Sequence, residues 1–308
     1  MEISSTMIMS YWNQFGLMNP ITLRAQKLVL YHDMILIVML FVLFVVGFFL
    51  VSFVLKKGVM GGLTYRVFSG NELLECIWTL APVSILFVLA LVSGHNLYHS
   101  EVGTDVEMSV KVTGRQWYWQ YEYLFSNIKK LFSMCGFSKS EVFKFFDVDF
   151  SMSDISDTWL LNYVGFFAKG EWSLSYDSYM TDEVDLGLET NKFSRNIDVS
   201  DPLFLPVGLK SELLIQTGDV IHSWGVPSLG VKMDAVPGRS NSLSLEPLSV
   251  GVVGGFCYEL CGQNHSAMPI VVEISSVKRM LNVLVLKFLS EVEMEEFSSS
   301  FSWWSIFE

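Results

Sequence analysis

Apolar and polar positions divide the chain into two textures. From Met34 to Leu55 no position is charged. At about 1.5 Å per helical residue, a run of this length crosses a hydrocarbon core of about 30 Å. Asp33 precedes it, and Lys56 and Lys57 follow it. A second apolar run extends from about Leu73 to Ser93 and contains Glu75 and Pro82. Proline is tolerated in membrane helices because neighbouring groups satisfy the freed backbone. A buried core helix is the competing reading of each run. The stretch between them, KKGVMGGLTYRVFSGN, carries Lys56, Lys57 and Arg66 and no acid. Short basic loops stay on the negative side of a membrane. The expectation is a two-helix transmembrane hairpin, with both chain termini on the positive side.

From about Glu101 the pattern changes to short alternating runs. VEMSVKV places Val106, Met108, Val110 and Val112 on one face of a strand, and QWYWQYEY does the same for Trp117, Trp119, Tyr121 and Tyr123. ELLIQTGD, SLSLEPL, SVGVVGGF and PIVVEISS also read as strands, separated by glycine and proline. Many short strands with turn signals predict a β-sandwich. Residues 124–172 break the rhythm. They are rich in phenylalanine, unlike a disordered linker, and read as an insertion that packs against something. Cys135 inside it is expected to be a free thiol, and Cys76 a packed membrane residue. Val277 to about Glu296 predicts a final helix. The resulting division is an N-terminal segment (1–32), the hairpin (33–98), the sandwich (99–276) and a C-terminal helix with its tail (277–308).

Charge sharpens this division. The 308 residues are 51% hydrophobic yet carry a net charge of −12. From residue 93 onward there are 15 basic and 28 acidic residues, so 15 − 28 = −13. The acidity therefore belongs to the domain beyond the membrane runs. An acidic surface steers basic partners and argues against nucleic acid, which needs a positive one. Solubility alone is the plainer account of that charge. The first 30 residues lack the pattern of a secretory signal or a transit peptide.

The candidate chemistry lies in GGFCYELCGQNHSAMP, where Cys257-x3-Cys261-x3-His265-x2-Met268 gathers soft donors. Thiolates select copper, zinc or iron–sulfur clusters, imidazole suits copper and zinc, and a weak thioether tunes copper electron-transfer sites. A further ligand from an earlier strand is expected, and His222 in GDVIHSWGVPSLGVKMDAVPGR is the candidate. Two cysteines exceed the need of one copper but could bridge two metals, each with a histidine as terminal ligand. A disulfide and a Cys2His2 zinc site are the alternatives.

These segments, with NELLECIWTLAPV, GRQWYWQYEY, LSYDSYM and CYELCGQNHSAMPIVVE, carry a resemblance. The chain resembles the subunit II family of cytochrome c oxidase, the copper-A subunits of haem–copper respiratory oxidases. The resemblance implies a cupredoxin-like Greek-key sandwich behind the hairpin. It implies a dinuclear copper-A centre held by His222, Cys257, Cys261, His265, Met268 and the Glu259 carbonyl, with the Glu259 carboxylate helping to bind magnesium at the contact with subunit I. It implies that Trp117 receives electrons from cytochrome c and that Glu122, Asp177 and Asp219 lie near the dock. It also implies that Glu75 lies at the mouth of a proton channel. Partners would be cytochrome c, subunit I, the other oxidase subunits and membrane lipid. Electrons would pass to haem a for oxygen reduction coupled to proton pumping. The location would be the mitochondrial inner membrane, with both termini and the copper domain in the intermembrane space. Plainer readings remain: Trp117 as a core aromatic, Glu259 and the three docking acids as solvated charges, Glu75 as a carboxylate favoured by a helix N-terminus. Two other classes differ in testable ways. A copper-delivery protein would be thioredoxin-like with its histidine downstream, and a quinol oxidase subunit II would lack the copper ligands.

Overall fold

A computed structural model of the chain describes residues 13–59, 70–98, 106–125, 172–181, 196–284 and 287. It divides into two compact units, one formed by Arg24–Glu101 and one by Met1–Leu23 with Val102–Glu308.

The first unit consists of two helices, α1 (Leu23–Val59) and α2 (Glu72–Tyr98). At 37 residues, α1 is about 55 Å long. It therefore outruns the apolar stretch and begins well before Met34. Hydropathy detects only the part suited to hydrocarbon. The preceding turns carry Lys27, His32 and Asp33, and His32 Nδ1 lies 3.2 Å from Asp33 Oδ1. In α2, Asn71 Oδ1 accepts the Leu74 N–H at 3.1 Å as an N-terminal cap. Glu72 and Glu75 sit in the first turn, where the helix dipole favours anions. Pro82 lies inside α2 without ending it. Large apolar side chains are widely exposed on both helices, Phe44 and Leu73 each at 72%. Apolar surface of this extent is untenable in water and suits lipid or neighbouring membrane helices.

The second unit is a sandwich of two five-stranded sheets. Its strands are β1 (Met108–Arg115), β2 (Tyr118–Phe125), β3 (Trp172–Ser178), β4 (Leu203–Pro206), β5 (Ser211–Thr217), β6 (His222–Val226), β7 (Val231–Ala235), β8 (Asn241–Leu245), β9 (Gly251–Cys257) and β10 (Ile270–Ser275). One sheet has the order β3-β2-β1-β5-β8 and the other β4-β10-β9-β6-β7. Most neighbours are antiparallel, but β1 runs parallel to β5 and β10 parallel to β4. Met108, Val110 and Val112 of β1 are buried, as their alternation predicts. Leu213, Ile215, Leu243 and Leu245 come from the same sheet. Trp224, Val253, Ile270, Val272 and Ile274 complete the core from the other.

Tyr123 joins the two sheets. Its hydroxyl accepts the Phe204 N–H at 2.8 Å and donates to the Phe204 carbonyl at 3.0 Å, standing in for a missing strand partner of β4. Near the start of the chain, Ile21 and Thr22 are tied to the sandwich. The Ile21 N–H donates to the Ser228 carbonyl and the Leu248 N–H to the Ile21 carbonyl, each at 2.9 Å. The Thr22 hydroxyl reaches the Leu229 carbonyl at 2.8 Å. A helix, α3 (277–284), follows β10 and buries Met280, Leu281 and Leu284. Lys287 pairs with Asp201.

Three local expectations need correction. QWYWQYEY is not one strand: Gln116 and Trp117 form the turn between β1 and β2, so only Trp119, Tyr121 and Tyr123 share the buried face. Leu124, Phe125 and Trp172, assigned to the insertion, are strand residues, with Phe125 paired to Trp172. Val106 lies just before β1 and is only partly buried. Cys135, most of the insertion, Arg66 in the basic loop and the expected helix beyond Lys287 lie outside the described residues.

Candidate metal centre

His222 opens β6, Cys257 closes β9, and Cys261 lies in the turn that follows. The pairing Trp224↔Cys257 sets β6 and β9 side by side at this end of the sheet. One ligand atom from each of His222, Cys257 and Cys261 then lies within 4.8 Å of the others, and all three residues are buried. Both cysteines are unbridged thiols. His265 Nδ1 and Met268 Sδ each lie 3.5 Å from Cys261 Sγ. The Glu259 carbonyl lies 3.3 Å from Cys257 Sγ, while the residue itself is exposed. The fold thus collects two sulfurs, two imidazoles, a thioether and a carbonyl from residues 222–268.

The histidine is specifically oriented. Its side chain is fully buried, and Nε2 lies 2.8 Å from Asp219 Oδ1. Nδ1 is buried with no hydrogen-bond partner among the described residues. Such an orphan is expensive in a finished core, and it lies in the cluster containing both thiols. Gly114 makes room for the ring, since a Cβ there would come within 2.9 Å of His222 Cδ2. The Trp119 and His222 rings meet in a T-shaped contact at 5.9 Å between centres, and the Trp119 indole N–H donates to the Met268 carbonyl at 3.3 Å.

Electrostatics separate the two thiols. Burial works against ionisation of Cys257, but His222 and the backbone of Ser223 and Glu259 outweigh it and lower its pKa. Burial raises that of Cys261, and the neighbouring Cys257 sulfur raises it further. Burial opposes the charged form of His222, yet Cys257 and Asp219 together raise its pKa. For Asp219 burial is likewise outweighed, by His222 and the Gln116 and Val220 N–H groups, and the carboxyl is held below its ordinary range. Two soft sulfurs, an unpaired imidazole nitrogen and a thioether form a donor set that fits copper. The carboxylate behind the histidine is a common companion of metal-binding imidazoles.

The remaining candidates occupy different settings. Trp117 is half-buried in the β1–β2 turn, and its Nε1 has no partner among the described residues. Glu122 pairs with Lys111 at 2.8 Å. Asp177 accepts the Tyr179 hydroxyl at 3.2 Å, and Tyr179 packs on Tyr118 at 4.6 Å between ring centres. Asp219 turns inward to His222 while remaining 31% exposed. Glu75 is exposed in the first turn of α2. Sequence reasoning missed Gln116, Gly114 and Gly262 around the centre. The Asp219-x2-His222 spacing was visible as a signal for the carboxylate, but nothing in the sequence marked the other three.

Two family models match the chain: the transmembrane domain of cytochrome c oxidase subunit II over residues 10–95, and its periplasmic domain over residues 151–275. Curated relatives named cytochrome c oxidase subunit 2 align over most of the chain. The Branchiostoma floridae protein is 31% identical over 265 residues, covering 86% of this chain and 92% of the relative. That of Artemia franciscana is 33% identical over 281 residues, covering 91% and 99%. Among solved structures, the periplasmic domain of subunit II from Bradyrhizobium japonicum is 24% identical. It covers 61% of this chain and 99% of that one, with a TM-score of 0.41. With its two apolar helices and the match of residues 10–95 to the family's transmembrane domain, the chain is a membrane protein.

Proposed function

Because the chain belongs to the cytochrome c oxidase subunit II family, and so to an oxidase complex of several subunits, we propose that it carries the copper-A centre and accepts electrons singly from cytochrome c. One observation carries this reading: two free thiols and the buried His222 imidazole bring one donor atom each within 4.8 Å of one another, and His222 Nδ1 has no hydrogen-bond partner among the described residues. His222, Cys257, Cys261, His265 and Met268, with the Glu259 carbonyl, would hold the centre. Two copper ions bound there would supply reversible one-electron chemistry. The chain's own contribution is rigidity. Ligands fixed by β6, β9 and a packed turn move little between oxidation states.

Trp117 is the proposed point of electron uptake, and Glu122, Asp177 and Asp219 lend negative charge to the surface that receives a lysine-rich donor. Binding of that donor weakens as salt rises. The exposed Glu259 carboxylate is available for magnesium shared with subunit I. Glu75, at the end of a membrane-spanning helix, would admit protons to a channel shared with that subunit. Electrons would continue to haem a in subunit I, where oxygen reduction and proton pumping occur. The basic stretch between the helices favours a hairpin whose termini and sandwich lie in the intermembrane space of mitochondria. The proposed division is 1–32, 33–98, 99–276 and 277–308.

Metal counting on the purified oxidase tests the centre. Two coppers attributable to this chain and a purple mixed-valence spectrum are expected. His222→Ala should abolish that spectrum, while Met268→Leu should keep both coppers and shift the potential. A colourless copper(I) protein, or a full spectrum without His222, would refute the assignment.

A further inference from the structure

Gln116 belongs to neither ligand-bearing segment, yet it touches both. Its side-chain amide donates to the Cys261 carbonyl at 2.9 Å. Its backbone N–H donates to Asp219 Oδ2 at 2.7 Å. The other oxygen of that carboxylate lies 2.8 Å from His222 Nε2. One residue thus links the β1–β2 turn to the cysteine loop directly and to the histidine through a single carboxylate.

The next residue is Trp117, and its indole reaches the same loop. A Cβ built on Gly262 would lie 3.2 Å from Trp117 Cζ2, 3.3 Å from Trp117 Nε1 and 3.1 Å from Gln116 Nε2. The indole edge therefore lies against the backbone one residue past Cys261. Gly262, with φ of +124°, combines a backbone conformation that favours glycine with this close approach. No hydrogen bond holds the indole nitrogen among the described residues. The turn is kept against the loop by packing and by the Gln116 amide.

Building on the copper-A reading, we propose that Gln116 is a positioning residue that holds Trp117 in contact with the Cys261–Gly262 backbone. The step it serves moves one electron from a reduced haem protein to the centre. The donor is oxidised by one electron, the centre is reduced by one, and no bond forms or breaks. Gln116 is an exposed residue, but its amide is spent on a carbonyl of this chain in a part-buried bond, which suits it to orienting the turn. Misplacement by about 1 Å can cost on the order of 100-fold where geometry governs a rate.

The test uses the intact oxidase carrying Gln116→Leu, which keeps much of the side-chain bulk and removes the donor. Gln116→Asn, whose amide is one methylene too short, serves if the first variant fails to assemble. Reduction of the centre by reduced cytochrome c should slow at least tenfold at saturating donor, with KM, copper content and mixed-valence spectrum unchanged. Hydrogen exchange on the metal-free chain supplies an independent readout. The backbone around 116–119 and 261–264 should exchange faster in either variant. Unchanged exchange with an unchanged saturating rate overturns the inference, as does a raised KM with the rate preserved, which would mark a docking residue. Lost copper in both variants also overturns it, by assigning Gln116 to ligand support. A wild-type oxidase that takes no electrons from cytochrome c would instead overturn the function on which the inference rests.

Discussion

Asp219→Asn separates two roles for one carboxylate. Its Oδ2 accepts the Gln116 N–H at 2.7 Å, and its Oδ1 accepts the Val220 N–H at 2.6 Å and the Thr217 hydroxyl at 3.2 Å while lying 2.8 Å from His222 Nε2. Asparagine keeps one acceptor oxygen. If that oxygen takes the Oδ1 position, its NH2 group meets the Gln116 N–H, donor against donor. If it takes the other, His222 and the Val220 N–H both lose their acceptor. The first arrangement is the less costly and loses one charge-assisted bond, a loss of about 1.5–3 kcal/mol. Partial exposure of the carboxylate favours the lower end of that range. Removing a carboxylate behind a metal-binding imidazole weakens metal affinity by about 10–100-fold, or about 1.4–2.7 kcal/mol. The two routes to the magnitude agree. The assay is competition for copper between the oxidase and a chelator, paired with the salt dependence of KM for cytochrome c. An orienting carboxylate predicts easier copper loss. Unchanged copper affinity with a raised, less salt-sensitive KM would refute the orienting role and leave Asp219 a docking acid.

Gly114→Ala should force His222 aside, because the new Cβ would lie 2.9 Å from its ring. Overpacking of this kind costs about 1–3 kcal/mol, and both denaturant unfolding and copper retention should register it; a variant with wild-type values would show that the ring has slack. Tyr123→Phe orphans the buried Phe204 N–H and carbonyl and should lower stability by about 2–4 kcal/mol, whereas a change below about 0.5 kcal/mol would mean that water replaces the hydroxyl. Burial raises the pKa of Tyr121, Tyr123 and Tyr176. The folded chain therefore holds these phenolic protons after the unfolded chain has begun releasing them, near pH 10. Stability is intact below that pH and falls above it, by up to about 1.4 kcal/mol per pH unit for each tyrosine. Tyrosinate absorbance from these residues should rise together with unfolding, and a rise that precedes it would contradict their burial.

The helices and the ligand loop were legible because each depends on local chemistry. An uncharged run from Met34 to Leu55 requires hydrocarbon, and Cys257, Cys261, His265 and Met268 fall in one short stretch. Strands with one wet face were legible too: β5, β8 and the first half of β1, as far as Val112, alternate in burial. Strands buried throughout were not. LFLP in β4 and HSWGV in β6 are buried at every position, so no period of two marks them. The break at Gln116–Trp117 escaped notice because aromatic alternation runs across it. Gln116 itself was silent, since its amide meets a carbonyl 145 residues away.

The strand pair Phe125↔Trp172 closes the stem from which residues 126–171 depart. This stem stands on the outermost ribbon, β3, of the layer opposite the one carrying His222 and Cys257. Doubling such an excursion adds only about 0.6 kcal/mol of closure entropy. The site is therefore a natural growth point. A lineage can lengthen its chain there, and acquire new surface for its own assembly, while the metal-holding layer inherits its geometry unchanged.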